Sequence, residues 1–259
     1  MTHEDEYHDS MVQMLELIWG EGYMAPGGPG NVARILRDID TEGKRILDIG
    51  CGIGGPGMEM VQTHGARVTG VDLEASLIRR AQASAEGKGL ADRCRFQVVT
   101  PGTLPFDDGS FDIVISSGAV TQTPDQAAMF ADIFRLLTPG GWFSCYEWLR
   151  TDAEYSDEML YWFKLEGLTY EMRTFDQYRE LLLAAGFNPV TTEDATHWYQ
   201  AEAHRELELL KGPEYTRMVE LLGQEDADYF IEDWRAMTVV IDNGEMKQGY
   251  LRGQKPAAL

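Results

Sequence analysis

The chain has 259 residues, 44% of them apolar and 25% charged, enough material for a substantial core and unlike a mostly disordered chain. Its 22 Lys+Arg stand against 43 Asp+Glu, a formal net charge of −21 that opposes phosphate backbones and anionic lipid and excludes broad nucleic-acid binding. The three cysteines, Cys51, Cys94 and Cys145, make no C-x-x-C pair, so neither a disulfide framework nor a thiolate zinc site is expected.

The opening MTHEDEYHDS is acidic and unlike a signal peptide, and no apolar run approaches the ~18 residues that span a bilayer. The expected address is the cytoplasm, with no membrane partner. In chain order, short apolar runs at 45–49, 67–71, 94–99, 111–116 and 142–146 predict five strands. Helical patterns lie between them, at 74–86 and at 127–137. The second opens on Thr123-Pro124-Asp125-Gln126, read as a capped start, and stops before the breaker Thr138-Pro139-Gly140-Gly141. Strands alternating with helices imply βαβ units and a parallel sheet. Beyond Leu149, helices are predicted over 156–168, 174–185, 198–211, 214–222 and 226–239, with strands at 188–192 and 248–252. The helix over 174–185 has a T-x-x-Q start at Thr174 and Gln177 and a glycine stop at Gly186.

The first strand runs into Asp48-Ile49-Gly50-Cys51-Gly52-Ile53-Gly54-Gly55. Glycines at a strand-to-helix turn allow positive φ and close approach of a ligand. Asp48, two residues before the first glycine, would repel a dinucleotide pyrophosphate and favour a cationic amino-acid moiety, such as that of S-adenosylmethionine. Asp72 ends the second strand, where an acid can bind ribose hydroxyls. The bland alternative is a tight βα turn with two capping aspartates.

The blocks ILDIGCGIGG, VTGVDLE, LPFDDGSFDIVIS and LLTPGGWF, in that order and spacing, resemble the class I methyltransferases. YHDSMVQMLELIWGEGYMAPGG at the start, and RTFDQYRELLLAAGF, THWYQAEAHRELELL and KQGYLRG later, are similar to the phosphoethanolamine N-methyltransferases. The sarcosine and dimethylglycine methyltransferases are an equally live comparison. The resemblance implies an α/β fold: a Rossmann-like, doubly wound, seven-stranded, mostly parallel sheet with an N-terminal helical lid and a helical cap. Residues 1–30 would form the lid helix, 31–150 the S-adenosylmethionine-binding core, and 151–259 the cap helices and last strands.

The same resemblance implies roles for residues. Asp48, Gly50, Gly52 and Gly54 would surround the methionine part of the cofactor. Asp72 would bind the ribose, Leu73 would lie beside the adenine, and Thr100 stands where an acid usually meets the adenine amine. Ser116 and Ser117 would face the methyl end. Tyr7 aligns with a catalytic tyrosine of the lid, which also carries Tyr23 and Met24. Gln122 replaces the histidine that pairs with that tyrosine; it can orient an amine but cannot act as a base. Leu168 and Met237 occupy places where basic residues hold phosphate, and Trp148 stands near a phosphate-contacting tyrosine. Arg173, Arg179 and Arg235 are the available substitutes.

Trp148, Tyr155, Tyr161, Trp162, Tyr170, Trp198 and Trp234 crowd the cap, and an aromatic cage suits a methylated ammonium, although such rings also build cores. Tyr23, Trp148 and Tyr170 are the expected acceptor contacts. His3/His8 and His197/His204 lack a third ligand, so no metal is expected. The stretch 202–206 reads as a solvated helix face. The implied function is N-methylation of a small soluble amine or amino acid. O- or S-methylation and a non-catalytic cofactor-binding subunit stay open, as do the acceptor and the oligomeric state.

Overall fold

The computed structural model describes residues 9–167 and 170–258. Tyr7 and Leu168 therefore lie outside the described residues. The elements run α1 (Asp9–Trp19), α2 (Gly28–Ile35), β1 (Arg45–Ile49), α3 (Gly55–Thr63), β2 (Arg67–Asp72), α4 (Ala75–Gly87), β3 (Cys94–Val98) and β4 (Phe111–Ser117). A 3-10 turn (Val120–Gln122) leads to α5 (Gln126–Leu136) and β5 (Leu137–Arg150). Then come α6 (Asp157–Glu166), α7 (Phe175–Ala185), β6 (Val190–Asp194), α8 (Thr196–Lys211), α9 (Tyr215–Leu222), α10 (Gln224–Asp242) and β7 (Met246–Gln254).

The seven strands form one sheet in the order β3-β2-β1-β4-β5-β7-β6. The first five pair in parallel, and β7 enters antiparallel between β5 and β6. This is the expected doubly wound sheet. The strand order reverses between β1 and β4, and in such sheets ligands bind at that switch point, beyond the carboxyl ends of the strands.

Alternation along β1 sends its side chains to two cores. Ile46 packs with Val68 and Phe96 under α2, α3 and α4, through Val32, Met58 and Ala81. Leu47 and Ile49 pack with Val114 and Phe143 under α5 and α7, through Phe130 and Tyr178. A third core belongs to the helices over the sheet's carboxyl edge. It joins Met14, Leu15 and Ile18 of α1 to Trp162, Tyr199, Leu207, Met218, Trp234 and Met237. The N-terminal segment is therefore built into the cap. It is not one helix up to residue 30: α1 ends at Trp19 and α2 begins at Gly28.

Two local readings differ. Helix α5 is capped by Asp125, whose side chain accepts from Ala128 N, and not by Thr123. Gln126 is instead buried, and its Nε2 donates to the carbonyls of Val120 and Glu171. Thr138-Pro139-Gly140-Gly141 does not separate helix from strand by a loop, because β5 starts at Leu137. Gly140 N donates to Lys255 O at 2.9 Å and Lys255 N to Gly141 O at 2.9 Å, so the far end of the chain supplies the pairing.

The start of α7 forms as read. Thr174 accepts from Gln177 N, and the Gln177 side chain accepts from Thr174 N, closing a capping box. Thr174→Ala removes one of these bonds and should lower the unfolding free energy by ~1 kcal/mol, read as a shift of the urea midpoint at constant slope.

Candidate active site at the carboxyl edge of the sheet

The loop after β1 folds back against the end of β2. Gly50 N and Cys51 N both donate to Val71 O, at 2.9 and 3.0 Å. Gly50, Gly52 and Gly54 all take positive φ, at 70°, 52° and 85°. Crowding reinforces that requirement. A Cβ on Gly50 would stand 2.3 Å from the Ala119 methyl, and one on Gly54 would stand 2.6 Å from the Phe96 ring. The loop therefore presents bare backbone at the switch point.

Two aspartates bracket it. Asp72 Oδ2 accepts from Gly52 N at 2.9 Å, and its Oδ1 accepts from Glu74 N at 3.0 Å. Asp48 is 2% exposed, and its Oδ2 has no hydrogen-bond partner. Burial, then the charge of Asp72, pushes the Asp48 carboxyl up to about 8. Beside Asp72, Leu73 is 56% exposed, and Val98 at the end of β3 is 46% exposed, two apolar surfaces suited to a flat ring. Thr100 is exposed just beyond β3.

Ser117 ends β4, where its Oγ accepts from Asn31 Nδ2 at 3.4 Å; Asn31 Oδ1 in turn accepts from Tyr250 Oη at 2.8 Å. Ser116 does not face this edge, because it is fully buried and donates to Ile49 O at 3.1 Å. Gln122 is exposed in the 3-10 turn. That turn rests on a residue absent from the sequence reading, the buried Glu147 of β5, which accepts from Val120 N at 2.9 Å and Thr121 N at 3.3 Å. Burial pushes the Glu147 carboxyl up to about 8, opposed by these bonds. A lone acid inside the apolar run of β5 is the signal that could have found it.

Tyr23 is buried among Val32, Met58 and Tyr250 and belongs to the core rather than to an open face. Trp148, Trp162 and Tyr170 do come together. Trp162 stacks on Trp148 at 6.1 Å and 20° and on Tyr170 at 5.5 Å and 11°. Four other cap aromatics are committed elsewhere: Tyr161 bonds Glu232, Tyr155 lies under Arg150, Trp198 lies under Arg34, and Trp234 donates to Glu206.

Glu206 corrects the reading of 202–206 as a solvated face. It is fully buried and accepts from Trp19 Nε1 at 2.8 Å and Trp234 Nε1 at 3.1 Å, bridging α1 and α10. Burial pushes its carboxyl up to about 7 against these two bonds. A carboxyl raised in the fold keeps its proton where the unfolded chain has lost it, near pH 4–4.5. Its contribution to stability is complete below that range and is lost as pH rises through the folded value. With Asp48, Glu147 and Glu206 all raised, we expect the melting temperature to fall steadily from about pH 5 to about pH 8. Glu206→Gln should flatten that slope in a thermal scan across the same buffers.

Known proteins place this geometry. The profile of a methyltransferase domain matches residues 46–141, from β1 to the first residues of β5. A phosphoethanolamine N-methyltransferase of Triticum aestivum is 28% identical over 96% of this chain and 49% of its own length. One from Arabidopsis thaliana is 28% identical over 96% of this chain and 50% of its own length. The chain thus spans about half the length of the curated relatives it matches. Among solved structures, a Haemonchus contortus phosphoethanolamine N-methyltransferase, in complex with phosphomonomethylethanolamine and S-adenosylhomocysteine, superposes with TM-score 0.90 at 24% identity. That match covers 98% of this chain and 59% of the other. A candidate sarcosine dimethylglycine methyltransferase from Galdieria sulphuraria superposes with TM-score 0.82 at 16% identity, over 97% and 98% of the two chains. Residues 46–141 match the profile of a methyltransferase domain, and the chain as a whole shares the fold of these two solved structures.

Proposed function

We propose that the chain transfers a methyl group from S-adenosylmethionine to the nitrogen of a small amine or amino acid that carries no phosphate. The observation that supports the donor is the pairing of a bare glycine loop with two acids. The orphaned Asp48 Oδ2 is an acceptor suited to a cationic amino-acid end, and Asp72 is placed for ribose hydroxyls. Leu73 and Val98 offer apolar faces for an adenine. The donor supplies an electrophilic sulfonium methyl and leaves as a neutral thioether.

The chain's own groups have three tasks. They hold the acceptor nitrogen in line at ~3–3.5 Å from the methyl, exclude water, and accept the proton an ammonium must lose before it attacks. The helical cap, with its own apolar core, covers the carboxyl edge and excludes water. On this reading Gln122, on the turn braced by Glu147, orients the acceptor. Tyr7 is the proposed proton relay.

The acceptor reading rests on what stands at the positions where a phosphate clamp is expected. Arg173 Nε donates to Gln126 Oε1 at 2.5 Å, and Arg235 pairs with Glu232 at 2.6 Å. Met237 is buried in the cap core. Arg235 is thus paired and Met237 carries no charge, so a phosphate clamp here would have to come from Arg173, which bonds a neutral amide, or from the exposed Arg179. The Haemonchus contortus enzyme shares the plan of the fold, and on this reading the chain departs from it in the acceptor it suits.

Asp72→Ala should weaken S-adenosylhomocysteine binding by ~1–3 kcal/mol in calorimetry, through loss of charge-assisted bonds and of the tether on Gly52 N. NADH should not bind; tight NADH binding without S-adenosylhomocysteine binding would overturn the donor assignment. Steady-state kinetics on phosphoethanolamine, ethanolamine, glycine, sarcosine and dimethylglycine should rank phosphoethanolamine low. In the same assay, Tyr7→Phe should lower kcat by about 10- to 1000-fold with donor affinity unchanged. Gln122→Ala should raise the acceptor KM more than it lowers kcat. A wide preference for phosphoethanolamine would refute the acceptor reading, and donor binding without turnover on any acceptor would favour a non-catalytic subunit.

A further inference from the structure

Asp48, Glu147, Glu206 and Asp233 are all buried carboxyl groups. Glu147 and Glu206 accept from backbone and indole N–H groups, and Asp48 lies under the glycine loop. Asp233, on the face of α10 that packs against α6, differs from these. It is 4% exposed, and its Oδ1 has no hydrogen-bond partner. The indole of Trp162, 1% exposed, faces the same carboxyl. Glu166 at the end of α6 lies against the same carboxyl and accepts from Tyr170 Oη at 2.6 Å. Burial, then the charge of Glu166, drives the Asp233 carboxyl well above the usual range.

Two carboxyl groups side by side in an apolar cap are costly unless a proton or a cation lies between them. The nearest arginine on the same helix, Arg235, is engaged with Glu232. The flanking walls are aromatic: Trp162 lies between the rings of Trp148 and Tyr170. This stack reaches the methyl-transfer edge. A Cβ on Gly118, the residue after β4, would stand 3.2 Å from Trp148 Nε1. Glu171 N donates to Thr121 O at 2.7 Å, tying the Tyr170 segment to the turn that carries Gln122.

We propose that Asp233 and Glu166, walled by Trp162 and Tyr170, form the recognition site for a positively charged nitrogen of the methyl acceptor. The proposal rests on the acceptor reading above and deepens it by naming the substrate class: cationic or zwitterionic ammonium compounds. N–H groups of a protonated amine would donate to the orphaned Asp233 Oδ1, and N-methyl groups would lie against the ring faces. A phosphate brought to the same place would meet two acids, and repulsion disfavours it.

The test uses the full chain loaded with S-adenosylhomocysteine and three probes in calorimetry. These are choline, its uncharged carbon isostere 3,3-dimethyl-1-butanol, and phosphoethanolamine. Choline should bind at least ~10-fold tighter than the isostere, a margin within reach of cation–π and carboxylate contacts, and phosphoethanolamine should bind weakest. Asp233→Asn should bring choline down to the level of the isostere with S-adenosylhomocysteine affinity unchanged. Glu166→Gln should act in the same direction. Equal binding of choline and the isostere by the unmodified chain would overturn the proposal without any variant having to fold. So would a folded Asp233→Asn chain with undiminished choline affinity. A parallel methyl-release assay on the amine panel separates the two readings. Charge discrimination without turnover upholds the cation site and removes N-methyl transfer. Turnover without charge discrimination removes the cation site alone.

Discussion

Gly55 donates its N–H to Gly22 O at 2.9 Å, and a Cβ on Gly55 would stand 2.1 Å from that oxygen. This contact fixes the N-terminal segment against the first turn of α3, so the loop after β1 is held from above as well as from the sheet. Met24 lies on the same side, with its sulfur 3.0 Å from where a Gly52 Cβ would be. Ala119, after β4, closes the third side against Gly50. Three segments far apart in sequence thus crowd one loop, and a side chain has no room at Gly50 or Gly55. The site at the switch point exists because these approaches are simultaneous.

The cap depends on the same junction through α1. That helix leads into Gly20–Gly22 and contributes Met14, Leu15 and Ile18 to the cap core. Its last residue, Trp19, shares the Glu206 carboxylate with Trp234. One buried acid therefore couples the segment that seals the glycine loop to α10, the helix that carries Asp233. A buried carboxylate with two indole donors is satisfied on both oxygens, which offsets much of the cost of its burial. Asp72 is likewise satisfied on both oxygens, by Gly52 N and Glu74 N, whereas Asp48 and Asp233 each keep one oxygen without a partner.

Much of this was legible in the sequence where the signal is local. The strands β1 to β4 are short apolar runs closed by glycine or a polar turn, and both ends of α7 were read from Thr174, Gln177 and Gly186. The glycine loop and its two flanking acids were legible as well, because backbone glycines and strand-end acids announce themselves by spacing. Long-range features did not. The extension of β5 through Thr138-Pro139-Gly140-Gly141 depends on Lys255, and the cap of α5 moved to Asp125 because Gln126 is drawn inward to Tyr178 and to the carbonyl of Glu171. The stretch 202–206 of α8 read as a solvated face, but the helix packs against α1 and α10, so Glu206 is buried. Among the cap aromatics, spacing could not separate Trp162, joined to Trp148 and Tyr170, from Trp234, spent on Glu206.

The two halves of the site are built by different physics. The donor half is made of backbone at the ends of β1, β2 and β4, where parallel pairing fixes every atom and substitution is sterically barred. The acceptor half, as proposed, draws on side chains of α6 and α10 near the end of β5, between helices that only need to pack. A helix face can exchange a basic residue for an acid or a methionine without moving a strand. Charge preference at the acceptor can therefore invert while the sheet and its glycine loop stay constant. That division of labour accounts for a fold that superposes on the Haemonchus contortus enzyme with TM-score 0.90 at 24% identity, while its cap holds Asp233 beside Glu166.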